Sequence, residues 1–123
     1  IDMVVSYGGF ESMNSKMLDG FREGYRVLKP GGHAVYDICV VGDHNSENTR
    51  KWERLYSTLD QTYFTYKKLF DIEEWKEVCR QTGYLSTQTK EIYGELPAPE
   101  DEVFPFENEV LQWMGEYVCV SEK

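Results

Sequence analysis

An aspartate interrupts the apolar run "HAVYDICVV" at residues 33 to 41. A carboxylate inside a strand needs a partner or an opening to water, because burying it unpaired is costly. Asp37 therefore has two readings. It is a substrate-pocket acid that binds a cation or accepts a proton, or a structural carboxylate that holds a nearby backbone group or an arginine. His44 follows in the polar loop beyond that strand. Its ionisation near neutrality suits a general base; the alternative is a solvated loop histidine. A second group closes an earlier apolar run, where Ser6, Tyr7, Gly8 and Gly9 end "IDMVVSYGG". Ligands of open parallel sheets gather beyond the carboxyl ends of the strands, and glycine there permits close backbone approach. No metal-ligand spacing is visible, and no Ser-His-Asp or Cys-His arrangement stands out.

These residues need elements to hold them. Residues 1 to 7 form a short continuous apolar run, which suits a strand in a parallel sheet covered on both faces. Met17, Leu18, Phe21, Tyr25 and Leu28 recur at three- and four-residue steps and make one helical face, with Ser12 or Asn14 as its cap and Pro30-Gly31 as its stop. Residues 33 to 41 are the clearest strand. The polar stretch "GDHNSENTRK", 42 to 51, breaks the periodicity, and Trp52, Leu55, Tyr56, Leu59 and Tyr63 resume it. Asp71-x-x-Glu74 predicts a capping box at the start of a further helix, and Gly83 its left-handed end. "YLSTQTKEIYG" alternates as an edge strand does. A proline-rich acidic loop over 95 to 109 leads to a last strand from 115. Strand and helix alternate at first, which predicts a parallel sheet; the last two strands are joined only by a loop, which predicts an antiparallel pair. The fold class is α/β in one domain.

Composition narrows the partners. The formal charge of -9 over 123 residues argues against a nucleic-acid groove, which needs clustered Lys and Arg, and against an anionic membrane surface. Nor does any stretch reach the length of an apolar membrane span. Cys39, Cys79 and Cys119 are odd in number and widely spaced, and read as reduced, buried thiols of a cytoplasmic protein. The aromatics Trp52, Tyr56, Tyr63, Phe64 and Tyr66, with Phe104, Phe106 and Trp113, serve as core or as a pocket lid.

"IDMVVSYGGFES", an amphipathic helix and then "GYRVLKPGGHAVYDI" resemble the fourth strand, following helix and fifth strand of class I S-adenosylmethionine-dependent methyltransferases. "LFDIEEWKEVCRQTGY" is similar to the helix before their sixth strand, and "EYVCVSEK" to their seventh, which runs antiparallel between the fifth and sixth. Arg26 to Gly32 is the most specific piece. The resemblance implies a Rossmann-like methyltransferase sheet represented by its C-terminal half, strands four to seven, over residues 1–123. The family's glycine-rich cofactor loop and its ribose-binding acid have no counterpart in this sequence. The implied cofactor is S-adenosyl-L-methionine. Ser6, Tyr7, Gly8 and Gly9 are expected against its methionine part and methyl group. Phe10, Glu11, Asp37 and His44 are expected on the side of a small-molecule acceptor.

Methyl transfer requires mainly alignment of acceptor and sulfonium, so no catalytic dyad is expected. Two other readings stand beside it: a non-catalytic truncated α/β module that self-associates through its first strand, and the rear part of a nucleotide-dependent oxidoreductase. The Lys-Pro-Gly-Gly turn and antiparallel ending weigh against the latter. In the resembled fold another strand pairs outside residues 1 to 7, so this edge is expected to pair either with an N-terminal half or with a second copy in a homodimer.

Overall fold

A computed structural model describes residues 1–9, 16–57, 70–101 and 115–123. The elements run β1 (Met3–Ser6), α1 (Met17–Val27), β2 (His33–Val40), α2 (Glu47–Ser57), α3 (Ile72–Thr82), β3 (Ser86–Tyr93) and β4 (Gly115–Glu122). The strands form one sheet in the order β1-β2-β4-β3. β1 pairs parallel with β2, Val5 opposite Val35. β4 lies antiparallel between β2 and β3, with Tyr36 opposite Cys119 and Thr87 opposite Ser121. The mixed sheet with its antiparallel final strand agrees with the expected order. β1 is an edge of the described sheet, as expected; it departs from expectation in that one face is not covered, with Met3 and Val5 55% and 69% exposed. Its inner side chain, Val4, packs on the core.

The segment between α1 and β2 shows why the sequence needs Lys-Pro-Gly-Gly there. Helix α1 ends as Leu28 turns extended, and Gly31 takes φ +83, a conformation that costs a side chain dearly. Gly32 has no room for a side chain either. A Cβ there would lie 2.9 Å from the Lys29 carbonyl oxygen and 3.0 Å from that of Asp2. The turn is bonded to the start and end of the described chain: Lys29 N donates to the Ile1 carbonyl, and Gly31 N to that of Lys123. The chain thus leaves the helix and enters a central strand within five residues.

Helix α3 carries the capping box that its sequence predicts. Glu74 N donates to Asp71 Oδ1 at 2.8 Å and Asp71 N to Glu74 Oε1 at 3.1 Å. Gly83 ends the helix at φ +119. Helix α2 begins earlier than expected, inside the polar stretch 42–51. Ser46 accepts the Thr49 N–H on its hydroxyl and the Arg50 N–H on its carbonyl, so a capped first turn forms without an apolar stripe. The proposed caps Ser12 and Asn14 lie outside the described residues, as do Leu59, Tyr63, Phe64, Tyr66, Phe104, Phe106 and Trp113. No described helix is long and apolar enough to cross a membrane.

The core joins α1 and α3 to one face of the sheet through Phe21, Leu28, Tyr36, Ile38, Trp75 and Cys119. Phe21 meets Trp75 and Tyr36 with ring centroids 4.9 and 5.2 Å apart. All three cysteines are free; Cys79 and Cys119 are buried as expected, whereas Cys39 is only half-buried, because it sits on the face of β2 away from the two helices. Trp52 is buried, and its Nε1 donates to the Leu96 carbonyl at 2.7 Å, so it is a core residue rather than a lid. Trp75 Nε1 donates to the Tyr36 hydroxyl at 3.1 Å, and that hydroxyl also lies 3.0 Å from Ser121 Oγ. Tyr36→Phe is expected to leave the buried indole N–H unpartnered and cost about 1–3 kcal/mol; urea denaturation measures it, and an unchanged midpoint would contradict this account of the core.

Candidate functional site at the carboxyl ends of the strands

The residues that close β1 form a tight turn at the carboxyl end of the parallel pair. Gly8 has φ +66, the left-handed region where glycine avoids steric cost. Gly9 is packed so closely that a Cβ would lie 2.5 Å from Ser6 Oγ. Tyr7 is 87% exposed. Phe10 and Glu11, expected on the acceptor side, lie outside the described residues.

Asp37 comes up to this turn from β2. It is only 7% exposed, and its Oδ1 accepts the Gly8 N–H at 2.6 Å. Of its two readings, the one that holds a nearby backbone group is visible in the structure. Glu116, which the sequence reading did not single out, is its neighbour. Register places Glu116 opposite Cys39, on the same face as Asp37, within hydrogen-bonding reach of Asp37 and Tyr93. Burial, followed by the bond and charge of Asp37, raises the Glu116 pKa, with the Tyr93 bond opposing. Burial, followed by the charge of Glu116, pushes Tyr93 up to about 12. The signal for Glu116 was a carboxylate one residue into an apolar strand, but its partner emerges only from the antiparallel register.

His44 is not a solvated loop histidine. Its Nδ1 lies 2.5 Å from Glu53 Oε1 on α2, and its Nε2 contacts Glu74 Oε1 on α3, with Asp71 Oδ2 at 3.9 Å. A neutral imidazole donates through one nitrogen only, so two carboxylate partners favour the protonated ring. Burial alone lowers its pKa, but the bonds to Glu53 and Glu74 outweigh this and raise it. His44, Asp71 and Glu74 offer ligand atoms within 4.8 Å of one another, close enough for a cation, though both acids already serve the α3 capping box. The histidine and Asp37 are not brought together: the bonded partners of His44 are on α2 and α3.

A cavity of about 210 Å³ opens between the end of β2, the start of α3 and the chain after β3, lined in part by Asp43, Asp71, Glu91 and Glu95. Glu95 is half-buried and accepts the Thr49 hydroxyl at 2.8 Å.

No known family profile matches the sequence, and no curated protein does. Solved structures do match. A methyltransferase of Thermotoga maritima, described as S-adenosylmethionine-dependent and a possible histamine N-methyltransferase, aligns over 99% of this chain at 19% identity and a TM-score of 0.57. A phosphoethanolamine N-methyltransferase of Haemonchus contortus, bound to phosphomonomethylethanolamine and S-adenosylhomocysteine, aligns over all of it at 17% identity and a TM-score of 0.60. A mycolic acid cyclopropane synthase bound to S-adenosylhomocysteine does so at 15% identity and a TM-score of 0.62. The fold is that of the class I methyltransferases. This chain spans 55%, 33% and 55% of those three proteins, so it presents part of the methyltransferase sheet. Within that methyltransferase fold, the Ser6–Gly9 turn, Asp37 and Glu116 stand together at the carboxyl end of the parallel pair.

The raised ionisations set the direction of the pH response. A His44 pKa above 6.5 means that its stabilisation is complete below the unfolded value and disappears as pH rises through the folded one. His44→Gln should lose less than about 1 kcal/mol at pH 5.5 and flatten the decline above neutrality. Glu116 also binds its proton more tightly when folded, so Glu116→Gln should remove a loss of stability as pH climbs from 4.5. Thermal melts from pH 4 to 8 test both; parallel wild-type and variant profiles would contradict them.

Proposed function

We propose that this chain is the rear part of an enzyme that transfers the methyl group of S-adenosylmethionine to a small-molecule acceptor. The observation that carries the reading is the tight glycine turn at Ser6–Gly9, set at the ligand end of a methyltransferase fold. Backbone bare of side chains at Gly8 and Gly9 suits close approach of the methionine portion and its methyl group. Asp37, Glu116 and Tyr93 supply the polar surroundings beside it. Bound there, the cofactor would supply an electrophilic methyl on a sulfonium; this chain's contribution would be to orient the reactants and exclude water. The acidic lining of the neighbouring cavity favours a neutral or cationic acceptor over a phosphorylated one. The solved structure named as a possible histamine N-methyltransferase is compatible with that preference, whereas the Haemonchus contortus enzyme holds a phosphorylated amine. The methyl-transfer activity belongs to the completed domain, and this chain alone would bind cofactor weakly.

A second reading is favoured by one observation. Ile1, Met3, Val5 and Tyr7 are all more than half exposed at or beside β1, the outer strand of the described sheet, and an apolar edge is a template for pairing with another chain. On that reading the chain is a non-catalytic module that pairs with a second copy through β1.

Calorimetric titration with S-adenosylmethionine, with NADH as the control, separates the readings. Saturable binding of the sulfonium compound without NADH binding is expected, near micromolar where the sheet is completed along β1 and weaker otherwise. Preference for NADH would overturn methyl transfer. Binding of neither, together with a dimer in light scattering, would favour the self-associating module.

A further inference from the structure

Asp37 is a buried carboxylate with a use that orientation of the acceptor does not require. Its Oδ1 receives the Gly8 N–H across 29 residues of sequence. A carboxylate acceptor makes this bond roughly twice as strong as one between neutral groups. The strand that carries Asp37 is paired on both sides, with β1 and with β4, so the carboxylate is held firmly in place. The turn it reaches is a short one: Gly8 is in the left-handed region, with nothing within 4 Å of the point where a side chain would begin, and the bond from its N–H to Asp37 is a restraint on that conformation.

We propose that Asp37 is a positioning residue: by accepting the Gly8 N–H it fixes the Ser6–Gly9 turn in the shape that receives the ligand, without itself touching cofactor or acceptor. The identity of that ligand rests on the methyl-transfer reading; the hold on the turn rests on geometry alone. Behind Asp37 stand Glu116 and then Tyr93, each within reach of the next. A Glu116 carboxyl that keeps its proton can donate to Asp37, and the Tyr93 hydroxyl can donate to Glu116. A polar line therefore crosses the sheet from β3 through β4 and β2 to the turn after β1. It ties the ligand-facing backbone to the far edge of the sheet. A carboxylate serving only as a buried counter-charge would not need this alignment.

The bond can be tested directly in the wild-type chain, labelled with ¹⁵N and ¹³C. A coupling across the hydrogen bond between the Gly8 amide nitrogen and the Asp37 carboxyl carbon is expected, and its absence in a folded sample would overturn the proposal. The consequence is tested with Asp37→Leu and Asp37→Asn. Asp37→Leu should speed Gly8 amide exchange and weaken S-adenosylmethionine binding, each by about tenfold or more, the value of a hydrogen bond to a charged group. Asp37→Asn keeps an accepting oxygen and should restore both to within about threefold. Unchanged Gly8 exchange in folded Asp37→Leu would overturn the proposal, as would an Asp37→Asn variant no better than Asp37→Leu. If the wild-type chain does not bind S-adenosylmethionine, the methyl-transfer reading fails, and Gly8 exchange alone decides whether Asp37 holds the turn.

Discussion

The structure depends on one buried hydroxyl. Tyr36 is 2% exposed in the middle of β2, and its oxygen accepts the Trp75 indole N–H from α3 while lying against Ser121 Oγ of β4 and Cys79 Sγ. Burial raises its pKa strongly, so the group remains a neutral phenol throughout the working range. A polar atom this deep is tolerable only because its neighbours satisfy it. The same bonds set the depth of α3 on the sheet and hold β4 beside β2. Phe21 closes the cluster from α1, so a single strand position gathers both helices and the neighbouring strand.

On the opposite face of β2, one residue further along, Asp37 plays the corresponding role for polar groups. The alternation of a strand puts Tyr36 toward the helices and Asp37 away from them. One dipeptide thus serves two ends: an anchor for the core and a carboxylate for the turn after β1. The Lys-Pro-Gly-Gly turn makes this possible by delivering β2 in register with both ends of the chain, Lys29 bonded to Ile1 and Gly31 to Lys123. The polar hold on the turn after β1 and closure at the other end of the sheet are therefore properties of the same element.

Local signals in the sequence were readable where a few adjacent residues settle the geometry. Asp71, Glu74 and Gly83 mark both ends of α3 because a capping box and a left-handed glycine are short-range devices. The antiparallel ending of the sheet was readable from the proline-rich acidic sequence between the last two strands, which carries no helical signal. The start of α2 was hidden because Ser46 caps a turn of polar residues, and a search for apolar periodicity passes over it. Glu116 was hidden for a different reason: its meaning depends on a partner 79 positions earlier, and only strand register brings the two together. His44 illustrates the same limit, since Glu53 and Glu74 reach it from separate helices.

The central claim is that a ligand-ready turn closes β1 in a partial methyltransferase sheet. Its most direct test is amide chemical-shift mapping of the ¹⁵N-labelled chain during addition of S-adenosylhomocysteine. The account predicts changes concentrated at Ser6, Tyr7, Gly8 and Gly9 and at the end of β2. Changes confined to the acidic cavity around Asp43 and Glu95, or none at saturating ligand, would contradict it.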